Sequence, residues 1–216
     1  MEPLPRFVPL DRMVAFSDGV FAVVITLLVL GIEVPSEAVL TGPELAATRE
    51  KLLHQLLIYF VAFWLVGMYW SQQSLFTSGL KQIDRGTFVL NLLLLLPITL
   101  LPFVTQFMGE MRTDWRAVLN FALTNVFATL VIERMWSRIA SLPETQKGPQ
   151  TATLAARMRV EVRAHAAVMV LGVLVARLDV RAGTLVFVLI PFVHFYNFLR
   201  DPFRSRAGGL SSGETK

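Results

Sequence analysis

The stretch Met13–Ile32 (MVAFSDGVFAVVITLLVLGI) decides the fold class of this chain. Its 20 residues contain a single charged side chain, Asp18. A helix of about 20 residues crosses the hydrocarbon core of a bilayer, because each residue adds about 1.5 Å to a span of about 30 Å. The stretch therefore predicts a transmembrane helix near the amino terminus.

The composition of the whole chain agrees with a location in the membrane. Of its 216 residues, 54% are hydrophobic and 17% are charged, whereas soluble domains have about 45–50% apolar and about 25% charged residues. Hydropathy windows predict five further helical segments. They are Leu52–Phe76, Gly86–Phe107, Trp115–Ile132, Val160–Leu178 and Ala182–Leu199. The sequence thus predicts an all-α integral membrane protein with six transmembrane helices.

The fifth segment gives the weakest signal. Its uncharged centre, Ala164–Ala176, has 13 residues, a length that also fits a buried or interfacial helix. We keep it as a span because six spans place 14 of the 20 Lys and Arg residues on one side, and basic residues accumulate on the cytoplasmic side. Both termini are then cytoplasmic, and the short loops suit a bacterial inner membrane. We expect residues 1–200 to form the transmembrane domain and residues 201–216 a disordered cytoplasmic tail.

Several functional classes find no support in the sequence. The chain has no cysteine, and its three histidines lack the spacing of metal ligands. The basic residues, which give a net charge of +4, form no stripe for nucleic acid. Nucleotide-binding and TVGYG-like filter motifs are absent from the sequence. We therefore expect neither an enzyme nor a nucleic-acid-binding protein, and no cofactor or bound metal.

Asp18 is the residue in the first segment that needs a partner. A carboxylate inside a membrane helix costs about 2.5–3.5 kcal/mol on insertion scales, and Arg12 lies on a different part of the helix surface. The partner is expected on another helix, with Gln72, Gln73 and Asn91 as candidates near the same end. Two roles are open, namely a structural hydrogen bond between helices and a part in ion passage.

The rest of the first segment is apolar on every side. Val23, Leu27 and Leu30 follow one another at helical spacing, with Thr26 beside them. Such a face packs against other helices in most membrane proteins. It can also line a pore that is gated by dewetting.

The motif Arg12-x-x-x-Phe16-Ser17-Asp18-Gly19, followed by an apolar run from Ile25 to Leu30, resembles the bacterial members of the transmembrane protein 175 family of potassium channels. Further matches are Tyr69-Trp70, Asn91 and Pro102-Phe103. The resemblance covers residues 12–108. It implies a homotetramer of six-helix subunits around a central pore lined by the first helix of each subunit, with K⁺ as the permeant ion.

The resemblance also implies roles for particular residues. Val23, Leu27 and Leu30 would form rings that narrow the pore, and Thr26 a ring of hydroxyls. A polar network would hold the first helix in place; its members are Arg12, Phe16, Ser17, Asp18, Gln73 and Asn91. Gln73 stands where the family usually has His, so this position cannot titrate near neutral pH.

Two functions from different classes follow. The first is a potassium-permeable channel that conducts passively through a hydrophobic constriction on the first helix. The alternative is a proton- or ion-coupled transporter of a small solute, with Asp18 as the coupling site and His194 in a proton relay. Saturable transport with counter-flow would distinguish the transporter from the channel.

Overall fold

The computed structural model describes residues 9–36, 45–81, 83–141 and 151–191. These residues form six α-helices. The helices are α1 (Leu10–Leu27), α2 (Leu45–Ser78), α3 (Arg85–Glu110), α4 (Trp115–Ser141), α5 (Thr151–Ala176) and α6 (Val180–Pro191). A 3₁₀ turn, Leu28–Gly31, continues α1. The prediction of an all-α fold is confirmed for these residues.

Four of the described helices are long and apolar enough to cross a membrane, and they are α1 with its 3₁₀ turn, α2, α3 and α4. The chain is therefore a multi-pass membrane protein. The fifth predicted segment, Val160–Leu178, is helical to Ala176, but α5 does not qualify, because Arg159, Glu161 and Arg163 precede its uncharged stretch. The sixth is helical from Val180 to Pro191, and the rest of it lies outside the described residues, as does the predicted tail.

Three helices extend by seven residues or more beyond their predicted ends, and one of them is α5, which begins at Thr151 rather than at Val160. Helix α2 begins at Leu45 rather than at Leu52, and α4 continues to Ser141 rather than ending at Ile132. The extensions of α2 and α4 each contain three charged residues, so the hydropathy falls although the backbone remains helical. Buried Trp136 lies in the α4 extension and packs edge-on against Phe76, with ring centroids 5.7 Å apart.

Helix α1 lies at the edge of the bundle. Helix α4 packs against both α3 and α5, whereas α1 contacts α2 and α3. In the most apolar 18-residue window of each span, 28% of α1 is buried, compared with 44–50% of α2, α3 and α4. A large part of α1 is thus left uncovered by its own chain.

Glycine allows close packing between α5 and α6. A side chain at Gly172 would collide with the ring of Phe187, and one at Gly183 would collide with Ala176. Phe187 fills this space and stacks near Phe121 of α4, at 5.5 Å between centroids. The contact places α6 against both α4 and α5.

The two ends of the bundle are tied by ion pairs. At one end, which we call the Glu33 end, Lys51 Nζ bonds Glu33 at 2.7 Å and Glu110 at 2.9 Å. At the other, the Asp84 end, Asp84 caps α3 by accepting the backbone N–H of Thr87 at 3.0 Å and also pairs with Arg138 of α4. Burial disfavours the charged carboxylate, but the hydrogen bonds from Arg138 and Thr87 outweigh it and lower the pKa of Asp84 to about 2.

Candidate functional site

Helix α1 has one buried face. Its members are Met13, Ser17, Phe21, Val24 and Leu28, all at most 3% exposed. Their spacing of three or four residues places them in one stripe along the helix. Since α1 contacts α2 and α3, this stripe fixes the rotation of α1 in the bundle.

The opposite face of α1 is uncovered. Thr26 follows Ser17 by nine residues, which at about 100° per residue amounts to half a turn beyond two full turns, so the two lie on opposite sides. Around Thr26 the large apolar side chains are exposed. They are Val23 (56%), Leu27 (42%) and Leu30 (74%). Within the described part of the chain, all four residues predicted to line the pore are therefore exposed.

Thr26 has a defined hydroxyl orientation. Its Oγ1 donates to the carbonyl oxygen of Val23 at 2.7 Å. Because the hydroxyl proton is used inside the helix, the oxygen presents its lone pairs outward. A cation passing this face would meet an acceptor atom at Thr26 between two apolar side chains.

A chain of buried hydrogen bonds joins α1 to α2 and α3. Ser17 Oγ donates to the carbonyl oxygen of Met13 at 2.9 Å and accepts from Asn91 Nδ2 at 2.8 Å. Asn91 Oδ1 accepts from Gln73 Nε2 at 3.1 Å. Ser17, Gln73 and Asn91 are each at most 1% exposed. The structure thus brings together three of the six residues assigned to the polar network.

Asp18 binds a residue that was not among its expected partners. Its Oδ1 accepts from Trp70 Nε1 of α2 at 2.8 Å. The partner is on another helix as expected, but it is none of Gln72, Gln73 and Asn91. One residue along a helix changes direction by about 100°, so Asp18 points away from the buried Ser17 and reaches the edge of α2, where Trp70 is 45% exposed.

Arg12 and Phe16 are placed outside the network. Arg12 is exposed, and Phe16 is 58% exposed on the uncovered side of α1. Within the described ranges no hydrogen bond joins Arg12 to Ser17, Asp18, Gln73 or Asn91. The helix rotation that buries Ser17 turns both away from α2 and α3 within one subunit, and their part in the network stays a prediction.

Sequence reasoning missed a second polar cluster between α2, α4 and α5. The hydroxyl of Tyr69 lies 3.0 Å from Asn125 Oδ1, 3.5 Å from Thr129 Oγ1 and 3.2 Å from His165 Nε2. All four side chains are at most 5% exposed. Asn125 and Thr129, four residues apart in an apolar segment, were the available signal, since buried polar groups require partners.

The described residues hold no group of three His, Asp or Glu side chains that could bind a metal ion. His194 lies outside these residues, so its predicted contact and proton relay have no structural description. The described residues thus present a membrane helix that is anchored on one side by hydrogen bonds and is apolar and uncovered on the other.

Comparisons with known proteins assign this arrangement to a class of membrane proteins. Residues 12–102 match the family described as "Endosomal/lysosomal potassium channel TMEM175". This range contains the Arg12 to Gly19 motif, the exposed face of α1 and the Ser17–Asn91–Gln73 chain. The chain is thus similar to the TMEM175 family over residues 12–102, and bacterial relatives extend the similarity.

Three bacterial relatives are described as potassium channels. The protein from Streptomyces collinus is 32% identical over 136 residues, which cover 58% of this chain and 62% of the relative. The Chamaesiphon minutus protein is 32% identical and covers 60% and 66%, and a Chryseobacterium protein is 33% identical and covers 55% and 59%. The chain thus spans somewhat less than two thirds of the length of these curated relatives.

Two solved structures share the fold. The crystal structure of a lysosomal potassium-selective channel TMEM175 homolog from Chamaesiphon minutus gives a TM-score of 0.73 at 24% identity, and covers 88% of this chain and 97% of the other. That of the potassium channel MtTMEM175 T38A variant, in complex with a nanobody fusion, gives 0.51 at 20% identity and covers 99% and 95%. These likenesses extend the shared fold beyond residue 102.

Proposed function

We propose that this chain is the subunit of a potassium-permeable channel, an ion channel rather than an enzyme, that conducts passively. The observation that carries the proposal is the uncovered apolar face of α1, with Val23, Leu27 and Leu30 exposed in a helix whose other face is buried. The relatives of similar sequence are described as potassium channels. The similarity to these relatives supports the same activity here.

The subunit assembles as a homotetramer in this proposal, with the first helix of each copy around a central pore. Four copies of the uncovered face would place rings of Val23, Leu27 and Leu30 around one axis. Apolar rings of this kind gate by dewetting when they are narrow. The Thr26 oxygens would form a ring of acceptors within the apolar section, where a cation that has lost part of its water needs ligands.

The finer topology is part of the same proposal. All six helices span the bacterial inner membrane, including α5 and α6, and both termini are cytoplasmic. The distribution of basic residues supports this orientation. In this orientation, the Asp84 end of the bundle faces the cytoplasm and the Glu33 end faces outward.

The test is ion flux through the purified protein in liposomes under a potassium gradient. Val23→Ala and Leu27→Ala enlarge the apolar section, so we expect both to raise the rate of potassium flux several-fold or to change ion preference. Leu130→Ala is the matched control, since Leu130 is 54% exposed but lies on α4, and it should leave flux unchanged.

Three results would contradict parts of this proposal. Equal potassium flux in wild type, Val23→Ala and Leu27→Ala would show that α1 does not line the pore. Slow, saturable exchange with counter-flow would favour the coupled transporter with Asp18 as its coupling site. A cross-linked species of four subunits in the membrane is the expected assembly, and a different number would overturn the tetramer.

A further inference from the structure

A cavity of about 390 Å³ opens at the Glu33 end of the bundle. Three elements line it, namely the first turns of α2, the turn between α3 and α4, and the start of α6. Its charged and titratable lining residues are Glu50, His54, Arg112 and Arg181. None of these residues takes part in the proposed pore, because the cavity is lined by α2, the turn between α3 and α4, and α6, whereas the pore is proposed to be lined by α1.

The charges around the cavity leave a positive excess. Arg181 pairs with Glu50 at 2.5 Å. Arg112 has no ion-pair partner among the residues that the structure describes, and it is only partly exposed. A partly buried guanidinium without a carboxylate favours an anionic ligand, and its planar donors fit the oxygens of a phosphate.

His54 also lines the cavity, and one of its two ring nitrogens has a hydrogen-bond partner. Its ring bonds the backbone carbonyl oxygen of Met108 through one nitrogen. The other, Nε2, is inaccessible to water and has no hydrogen-bond partner within the described ranges. With the other nitrogen donating to a carbonyl oxygen, Nε2 of the neutral ring is an acceptor, so His54 offers nothing to phosphate oxygens and Arg112 and Arg181 remain as the donors for an anion.

The remaining wall of the cavity is apolar and open to the surroundings of the bundle. Leu53 and Leu185 line it and are 61% and 55% exposed. Close by in the fold, the guanidinium of Arg177 stacks over the Trp115 ring at 4.3 Å. Tryptophan and arginine at the end of membrane helices are typical of the headgroup layer, so the cavity lies where a lipid presents both a charged head and an acyl chain.

We propose that this cavity binds the phosphate of an anionic phospholipid. The phosphate oxygens accept hydrogen bonds from Arg112 and from the free donors of Arg181, and the first carbons of an acyl chain lie along Leu53 and Leu185. Basic pockets between membrane helices bind lipid headgroups by the same combination of contacts. The inference is independent of conduction, because it concerns binding at a different face of the subunit.

The experiment is native mass spectrometry of the full-length protein released from nanodiscs that contain phosphatidylglycerol and phosphatidylcholine. We expect retained phosphatidylglycerol on the wild type, and an affinity about tenfold lower for Arg112→Gln, as for the loss of one hydrogen bond to a charged group. Arg116→Gln is the matched control, because Arg116 has the same charge four residues away but does not line the cavity.

The outcomes separate the possible ligands. Equal retention of phosphatidylglycerol by Arg112→Gln and Arg116→Gln would overturn the site. Displacement of the lipid by millimolar inorganic phosphate would overturn the lipid as the occupant in favour of a free anion. If Arg112→Gln unfolds, Arg112→Lys replaces it, because lysine keeps the charge without the planar donors. Phosphatidylglycerol retention by Arg112→Lys that lies between that of wild type and that of Arg181→Gln would support the proposal. Full retention of phosphatidylglycerol by Arg181→Gln would contradict it. Flux need not be measured, so failure here leaves the proposed channel untouched.

Discussion

The two faces of α1 have nearly the same composition and opposite surroundings. One face buries Phe21, Val24 and Leu28 against α2 and α3, while the other leaves Val23, Leu27 and Leu30 exposed. Hydropathy alone cannot separate these faces, because both consist of aliphatic and aromatic side chains. The difference comes from Ser17, whose hydrogen bond from Asn91 requires the helix to present that side to α3.

The comparison teaches that a few polar residues orient an apolar membrane helix. Lipid tails are as apolar as the side chains, so burial of apolar surface gives little preference for one rotation. Hydrogen bonds and close packing give the preference instead. In this chain the bonds are those of Ser17, Asn91 and Gln73 on one side, with Asp18 and Trp70 at the edge.

The largest contrast is expected between two phenylalanines of α1. Phe21→Ala should lower the free energy of unfolding by about 3 kcal/mol, since it leaves a cavity in a packed region. Phe16→Ala should change it little, because Phe16 is 58% exposed and Phe21 only 3%. Equilibrium unfolding in mixed micelles measures both values. Equal losses would show that the two faces are buried alike.

The next effect concerns the bond that orients the helix. Asn91→Ala leaves the buried Gln73 Nε2 and Ser17 Oγ without their partner, which should cost about 1–3 kcal/mol of stability. Thr99→Ala is the control on the same helix, because Thr99 is exposed and bonds the Leu96 carbonyl of its own turn. A stability loss for Asn91→Ala no larger than for Thr99→Ala would argue against an orienting role.

The Asp84 end should give a pH dependence. The pKa of Asp84 falls from 3.8 to about 2 in the folded state, so its ion pair contributes stability above about pH 4 and loses it as the pH falls toward 2. Arg138→Met should flatten the change in melting temperature over this range. Arg163→Met, which breaks an exposed pair with Glu133, should leave the acid profile unchanged, and an equal effect of both variants would contradict the assignment to Asp84.

The smallest effect is expected at Asp18. Asp18→Asn retains an oxygen that accepts from Trp70 Nε1, so it should change stability less than Asp18→Ala, for which we expect a loss of about 1 kcal/mol. The melting temperature of the assembled protein measures this difference. A large change in ion preference for Asp18→Asn in an intact assembly would instead place Asp18 in the ion path.

Much of the fold could be predicted from local sequence. Runs of apolar residues indicated helices in α1 to α4 because length and hydropathy suffice for a membrane helix. The ends of α2 and α4 could not be predicted in this way, since their polar turns are stabilised by partners such as Lys51 with Glu110 and Phe76 with Trp136. The spanning status of α5 depends on whether Arg159 and Arg163 lie in the membrane, which composition does not decide.

The candidate site shows the same division. The sequence by itself determined that this is a membrane protein, where its first helix lies and which polar residues need partners. The reason is that the free-energy cost of placing a side chain in lipid is a property of that side chain. Only the tertiary structure decided that Ser17 is buried, that Asp18 accepts a hydrogen bond from Trp70, and that Arg12 and Phe16 are exposed. Those outcomes depend on one rotation of α1, which is fixed by residues 52 to 74 positions away in the chain and therefore has no local signal.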